Sequence, residues 1–461
     1  MLYRFTKNQT GKSRCLREPC EKNANSLLSL LRVCAAIALV LCCVSGGVGQ
    51  DWPQWRGIDR DATIDDPNLL KSLPAGEIPK KWTAAVGPGY SGPTIANGLV
   101  YLTDRSPDDV QASERILCFR ATDGKLVWKH EYPVQYKIGY EASGPRASVT
   151  IDGGRAFAVG GMGMLHCLEA DSGKVLWARD LDEQYKIDMP NWGITTAPLV
   201  YQDRVIQVAG GPGACLVALD VKTGKEIWRA LDDRAGYSAP ILVRQGETDV
   251  VVCWTGESVS GINPIDGNVF WSIPMLPRNM PIGVPTPVIQ ENKLFVSSFY
   301  DGSLLIDLAP NQPQATTAWR RIGIDERNTD ALHAMISNPI IKGDYIYGAD
   351  SYGEFRCLEL NSGDRVWEDL SLVPKARWAT VHIIRNGENE IILNDQGELL
   401  LTSLSPQGPQ ISSRSQLIKP TRRQLNRRNG VVWSHPAIAD GVIYARNDEV
   451  LVAASLRATE E

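Results

Sequence analysis

A chain of 461 residues with 43% apolar and 22% charged residues has the composition of a globular protein large enough to bury a core. Its formal net charge of −5 argues against a nucleic-acid-binding role. Five His without metal-ligand spacing, and no nucleophile elbow, P-loop or dinucleotide fingerprint, leave no familiar catalytic or metal motif.

In chain order, residues 1–49 read as an address. Lys7, Lys12, Arg14, Arg17 and Lys22 precede an uninterrupted apolar run at 33–44. That run is shorter than the roughly 20 residues of a comfortable membrane span and has the length of a secretory h-region. Gly47 and Gly49 offer a cleavage site, so the segment is either a removed signal peptide or a retained anchor at 26–48. Either way the expectation is export, to the periplasm or the extracellular space. Residues 50–79 read as an N-terminal extension, and the domain proper as 80–461.

From residue 80 a repeat governs the chain. ILCFRATDGKLVW (116–128), LHCLEADSGKVLW (165–177), LVALDVKTGKEIW (216–228), VSGINPIDGNVFW (259–271) and FRCLELNSGDRVW (355–367) share a Gly four places before a closing Trp. Each predicts strand, tight turn, strand, the Gly meeting the turn's need for positive φ. The closing residues are Trp82, Trp128, Trp177, Trp228, Trp271, Trp319 and Trp367, with Trp319 in a copy that lacks the Gly. Each unit also has an earlier half of two strands, as in SGPTIANGLVYLTD (91–104) and SNPIIKGDYIYGAD (337–350).

Four strands per unit of about 40–50 residues predict an all-β, eight-bladed propeller of four-stranded antiparallel blades. The seventh unit, 379–404, is the least regular, so seven blades is the rival count. A lone Trp strand at 80–86 and a last unit that stops at Leu456 without one predict that both termini share one blade, which removes exposed sheet edges. Cys118, Cys167 and Cys357 occupy one repeat position, ten residues before the Trp. Equivalent positions lie around a ring, too far apart for a disulfide.

The G-K-x-x-W ending resembles the pyrroloquinoline-quinone (PQQ) repeat family. Its eight-bladed members include quinoprotein dehydrogenases and the propeller lipoprotein of outer-membrane barrel assembly. DWPQWRG (51–57), with 333–368 and 431–448, looks like the secreted single-propeller branch of planctomycete-type bacteria. The resemblance covers about 51–456 and speaks for the fold more than for function. For a dehydrogenase it implies Ca²⁺ ligands, a catalytic Asp and often an adjacent Cys pair. The only such pair, Cys42-Cys43, lies in the leader.

The segments before each first strand should line one mouth of the channel. They contain Tyr90, Glu141, Arg146, Trp192, Tyr237, His333, Arg377, Trp378, Trp433 and His435. Aromatic side chains with Arg suit a binding surface, and the alternative is that these rings seal the funnel between blades. The basic stretch 414–428 is a second candidate surface for an anionic partner. The expectation is therefore a monomeric, non-catalytic scaffold for another envelope or extracellular protein, with no metal or cofactor. The rival functions are a PQQ- and calcium-dependent alcohol or sugar dehydrogenase, and a carbohydrate- or peptide-binding module.

Overall fold

The computed structural model describes residues 50–106, 112–138, 144–425 and 429–457. Seven sheets follow one another along the chain. Blade 1 comprises strands Thr94–Ala96, Leu99–Arg105, Ser113–Arg120 and Leu126–Pro133, paired in that order. Blades 2 to 7 repeat the pattern over 150–180, 199–230, 241–274, 288–321, 340–369 and 381–416. Blade 8 takes three strands from 437–455 and its outermost from Lys80–Ala85, which pairs antiparallel with Val450–Ser455. The ring thus has eight blades and closes by joining its ends.

The repeated Gly and Trp are one device. Trp82, Trp128, Trp177 and Trp228 donate Nε1–H to Ala121, Val221 or their equivalents Ala170 and Pro264 in the next blade's outer turn, at 2.8–3.1 Å. Each ring covers the Gly of that turn. A Cβ on Gly124, Gly173, Gly224 or Gly267 would come within 2.5–2.8 Å of the indole of the preceding blade. The Gly is therefore fixed twice, by its positive φ and by the ring that fills its missing side chain. The ring also needs room behind it: Cys118, Cys167 and Cys357 stand directly opposite Trp128, Trp177 and Trp367 on the third strand. All five described cysteines are buried and free.

Two departures have physical causes. The outer turn of blade 5 has no Gly, so Trp271 donates instead to Gln245 Oε1 at 3.0 Å. The Gln245 amide then passes the contact on to the carbonyls of Ala309, Gln312 and Gln314. Blade 7 has Ser413 where the others have Trp. Its neighbour, blade 8, is closed by two chain ends, and residues 73–78 run where its outer turn would be. Ser413 Oγ accepts from Leu73 N at 2.9 Å, and Gln416 N donates to Gly76 O at 2.7 Å. The extension replaces the indole, so the outer strand of blade 7 lacks the closing Trp.

Candidate functional site: a plugged channel and its mouth

The short first strands are innermost, and residues 51–64 run between them. Trp52 exchanges two backbone hydrogen bonds with Ile95 of blade 1, and Pro53 O accepts from Ile151 N of blade 2. Arg60 donates Nη1 to Ala197 O and to Pro240 O, and Nη2 to Pro198 O, at the starts of blades 3 and 4. Trp55 Nε1 reaches Thr286 Oγ1 at 2.8 Å, just before blade 5. Thr63–Ile64 adds a parallel strand to the inner edge of blade 7, where Arg385 bonds Asp61 and Thr63. Trp52 and Trp55 both contact the ring of His435. The extension is a plug that fills the centre of the ring.

The plug comes in from the face of the first–second strand turns, where Asn97 N donates to Asp51 Oδ2. It turns back below the opposite face, which is the mouth expected from the sequence. Three non-Gly residues, Arg56, Arg60 and Ala62, hold positive φ of 58–60°, a conformation that needs strong surrounding support. Burial lowers the Arg60 guanidinium to about 9 and that of Arg56 to about 10.

At the mouth, the predicted residues fall into two groups. Trp192 meets Tyr237 edge-on at 5.3 Å. Trp192 and Trp378 also pack against Ile282, Phe299 and Met335, so connections from distant blades share one apolar cluster. Arg377 lies 4.6 Å over Trp378 and bonds Glu326 at 2.6 Å. The second group spans blades 8 and 1: Arg146 stacks 4.6 Å over Tyr90, whose hydroxyl donates to Gln424 O, and Trp433 lies alongside Tyr90. Burial raises the Tyr237 hydroxyl to about 12 and lowers the Arg146 guanidinium.

His333 and His435 lie beneath this surface. His333 Nε2 accepts from Gly323 N at 3.0 Å, which places the ring hydrogen on Nδ1 facing Phe299 O. Glu141 lies outside the described residues, as do residues 426–428 of the basic stretch and the leader. Of that stretch, Lys419, Arg422 and Arg423 are exposed, while Arg414 pairs with Glu398.

Sequence reasoning missed two features here. One is an exposed apolar rim: Leu276 is 67% exposed and Ile324 85%, with their loops tied by Arg278 Nη1 on Gly323 O. The other is a buried carboxylate at or just past the end of the second strand in five blades, four of them signalled by YDG, ADSYG, NDQG and NDEV and the fifth, Asp104, within the strand itself. Asp104 accepts from Gly87 N, Asp301 from Arg278 N, Asp350 from His333 N, Asp395 from Thr380 N and Asp448 from Gln424 N. Each clamps the connection arriving from the previous blade.

These commitments bear on a calcium-bound quinone. Calcium takes six to eight oxygen ligands. Asp104 is further held by Arg115, Asp350 by Arg356, and Glu114 by two tyrosine hydroxyls and Gly161 N. Among the described residues no three His, Cys, Asp or Glu side chains are grouped to hold a metal ion. The residues present do not fit the group.

No curated protein matches the chain in sequence. BamB from Moraxella catarrhalis superposes with a TM-score of 0.56 and 15% identity, over 82% of this chain and 99% of that one. A europium-containing methanol dehydrogenase gives 0.59 at 12% identity, over 88% and 91%. A quinohemoprotein alcohol dehydrogenase from Comamonas testosteroni gives 0.57 at 12%, over 89% and 81%. At these identities the likeness is one of fold. The model of the outer membrane protein assembly factor BamB family matches residues 112–369, more than half of the chain, and the protein belongs to that family.

Proposed function

We propose that the protein is an exported, non-catalytic propeller that binds another protein through its mouth face. The observation that carries this reading is the pairing of exposed Leu276 and Ile324 with the Arg377–Trp378 and Trp192–Tyr237 groups on one face. Exposed apolar side chains beside Arg and aromatics are the composition of a contact surface. The funnel is blind, because the plug closes it from below. The buried aspartates beside the mouth are each engaged by a backbone N–H, and Asp104 and Asp350 by Arg as well, which leaves them poorly placed to serve as metal ligands or base. The family's printed role in assembly and the BamB likeness agree with this reading.

The test compares the chain with three variants, each immobilised and exposed to extract from its own cells. A partner retained by the unaltered chain and by Val127→Asp at the outer rim should be lost with Ile324→Asp and with Trp192→Ala. Retention by all three variants contradicts the assignment of the face. In parallel, PQQ with Ca²⁺ should give neither stoichiometric uptake nor dye-linked oxidation of alcohols or glucose. Turnover would establish the dehydrogenase instead.

A further inference from the structure

The centre of the molecule brings together three buried nitrogens that have no partner. His382 and His435 lie 5.0 Å apart between ring centroids. His382 Nε2 faces the Trp433 carbonyl at 2.8 Å, so it carries the hydrogen and Nδ1 presents a lone pair. His435 Nδ1 faces the Pro436 carbonyl at 2.6 Å, leaving a lone pair on Nε2. Neither lone pair is used, nor is the Arg56 Nε–H. All three residues are almost fully enclosed. The cover is the plug itself: Trp52 stacks on His435 at 6.2 Å and Trp55 meets it edge-on at 5.3 Å.

We infer that residues 51–64 are a releasable plug of the channel, and that acid releases it by charging His382 and His435 against Arg56. The rings must stay neutral while the plug is seated. Arg56 acts on both rings and His382 acts on His435, all opposing a proton, while the Trp433 and Pro436 carbonyls favour one. Asp61 on the plug supports the Arg56 charge, and Arg385 of blade 7 opposes it. Burial holds His382 down at about 4 and His435 well below its ordinary value. Once the plug leaves, water reaches both rings and they return toward about 6.5.

The sign follows from linkage. The released state binds more protons, so release is favoured as pH falls through about 6.5 and gains nothing further below the seated values. His382 alone shifts the release equilibrium about 30-fold between pH 7.5 and 5, from its seated value of about 4. His435 acts in the same direction. Release need not open the ring. Asp65, Pro67 and Asn68 are exposed and can serve as the hinge, while Lys80–Ala85 stays paired in blade 8. A second pair, half-buried His130 and buried His166, sits 4.8 Å apart on blades 1 and 2, away from the plug. Its protonation would loosen the blades instead.

Hydrogen exchange on the full chain at pH 7.5, 6 and 5, corrected for intrinsic chemical rates, separates the two. The amides of Ala62, Ile95, Ile151 and Arg385 report the plug, because each bonds to it or from it. Gly124 and Gly173 report the blades. Protection at the first set should fall at least 30-fold over that range while the second set holds. His382→Gln and His435→Gln should each flatten the dependence. Should those variants not fold, Arg56→Gln must flatten it through the lost repulsion. Plug protection that ignores pH, falls in step with the blades, or keeps its slope in every folded variant overturns the inference.

Discussion

Trp128 of blade 1 reaches Gly173 of blade 2 through an indole and a missing Cβ, and the same pairing recurs around the rim. At the centre, Arg60 alone gathers carbonyls from blades 3 and 4, and Trp52, Trp55 and Asp61 each make a different contact. The rim is periodic because neighbouring blades are near-copies and one solution serves all. The centre is aperiodic because a single strand of chain meets many blades at once, each from its own angle. Periodic contacts announce themselves in sequence, and aperiodic ones do not.

The largest effect is expected at the seam. Deleting residues 50–85 removes both the plug and the closing strand, leaving Val450–Ser455 as an open edge. The expected outcome is aggregation or loss of the folded monomer, read by size-exclusion chromatography and circular dichroism. A monomer with an unchanged melting temperature would deny that closure matters.

Next in size is the rim. Trp177→Ala should cost about 3–5 kcal/mol in urea unfolding, from lost burial and the cavity left over Gly224. A loss below about 1 kcal/mol would rule out the clamp. Sharper still is a matched pair of glycines. Gly98 and Gly173 share φ of +74° and +71°, but a Cβ meets nothing within 4 Å at the first and the Trp128 ring at 2.5 Å at the second. Gly98→Ala should cost about 1 kcal/mol for backbone strain alone. Gly173→Ala should cost about 2–3 kcal/mol more, since a rigid indole must move. Equal costs would mean that φ, and not the ring, fixes the repeat.

At the centre, Arg60→Met removes the charged donor shared by three carbonyls. It should weaken seating of the plug by about 1.5–3 kcal/mol and leave the global melting temperature nearly unchanged. A fall in the global midpoint as large as that of Trp177→Ala would place the plug among the elements that hold the ring.

Much of the fold was legible because Gly and Trp repeat in step with it. The doubt between seven and eight blades came from the irregular unit 379–404, and the strand that follows it carries Ser413 in place of Trp because blade 8 has no outer turn for a blade 7 indole to clasp. The plug was illegible. DWPQWRG carries no hydrophobic period, and positive φ at Arg56, Arg60 and Ala62 has no signature outside Gly and Asn. The aspartates at the ends of five second strands carry a sequence signal too, but short turns so often hold Asp for turn reasons alone that it does not stand out. His333 and His435 sit in mouth connections by sequence, yet each ring is enclosed and hydrogen-bonded within the protein. Position along a connection cannot distinguish a side chain that faces outward from one that holds the connection down.

The functional claim rests on one face, and a photo-crosslinking amino acid placed on it gives the most direct test. Placed at Ile324 or Leu276, it should trap one discrete partner in cells that make the protein, whereas placement at Val127 on the outer edge of blade 1 should trap none. Crosslinks to that partner from Val127, with Ile324 and Leu276 silent, would move the binding surface to the outer edge of the blades and contradict the assignment of the mouth.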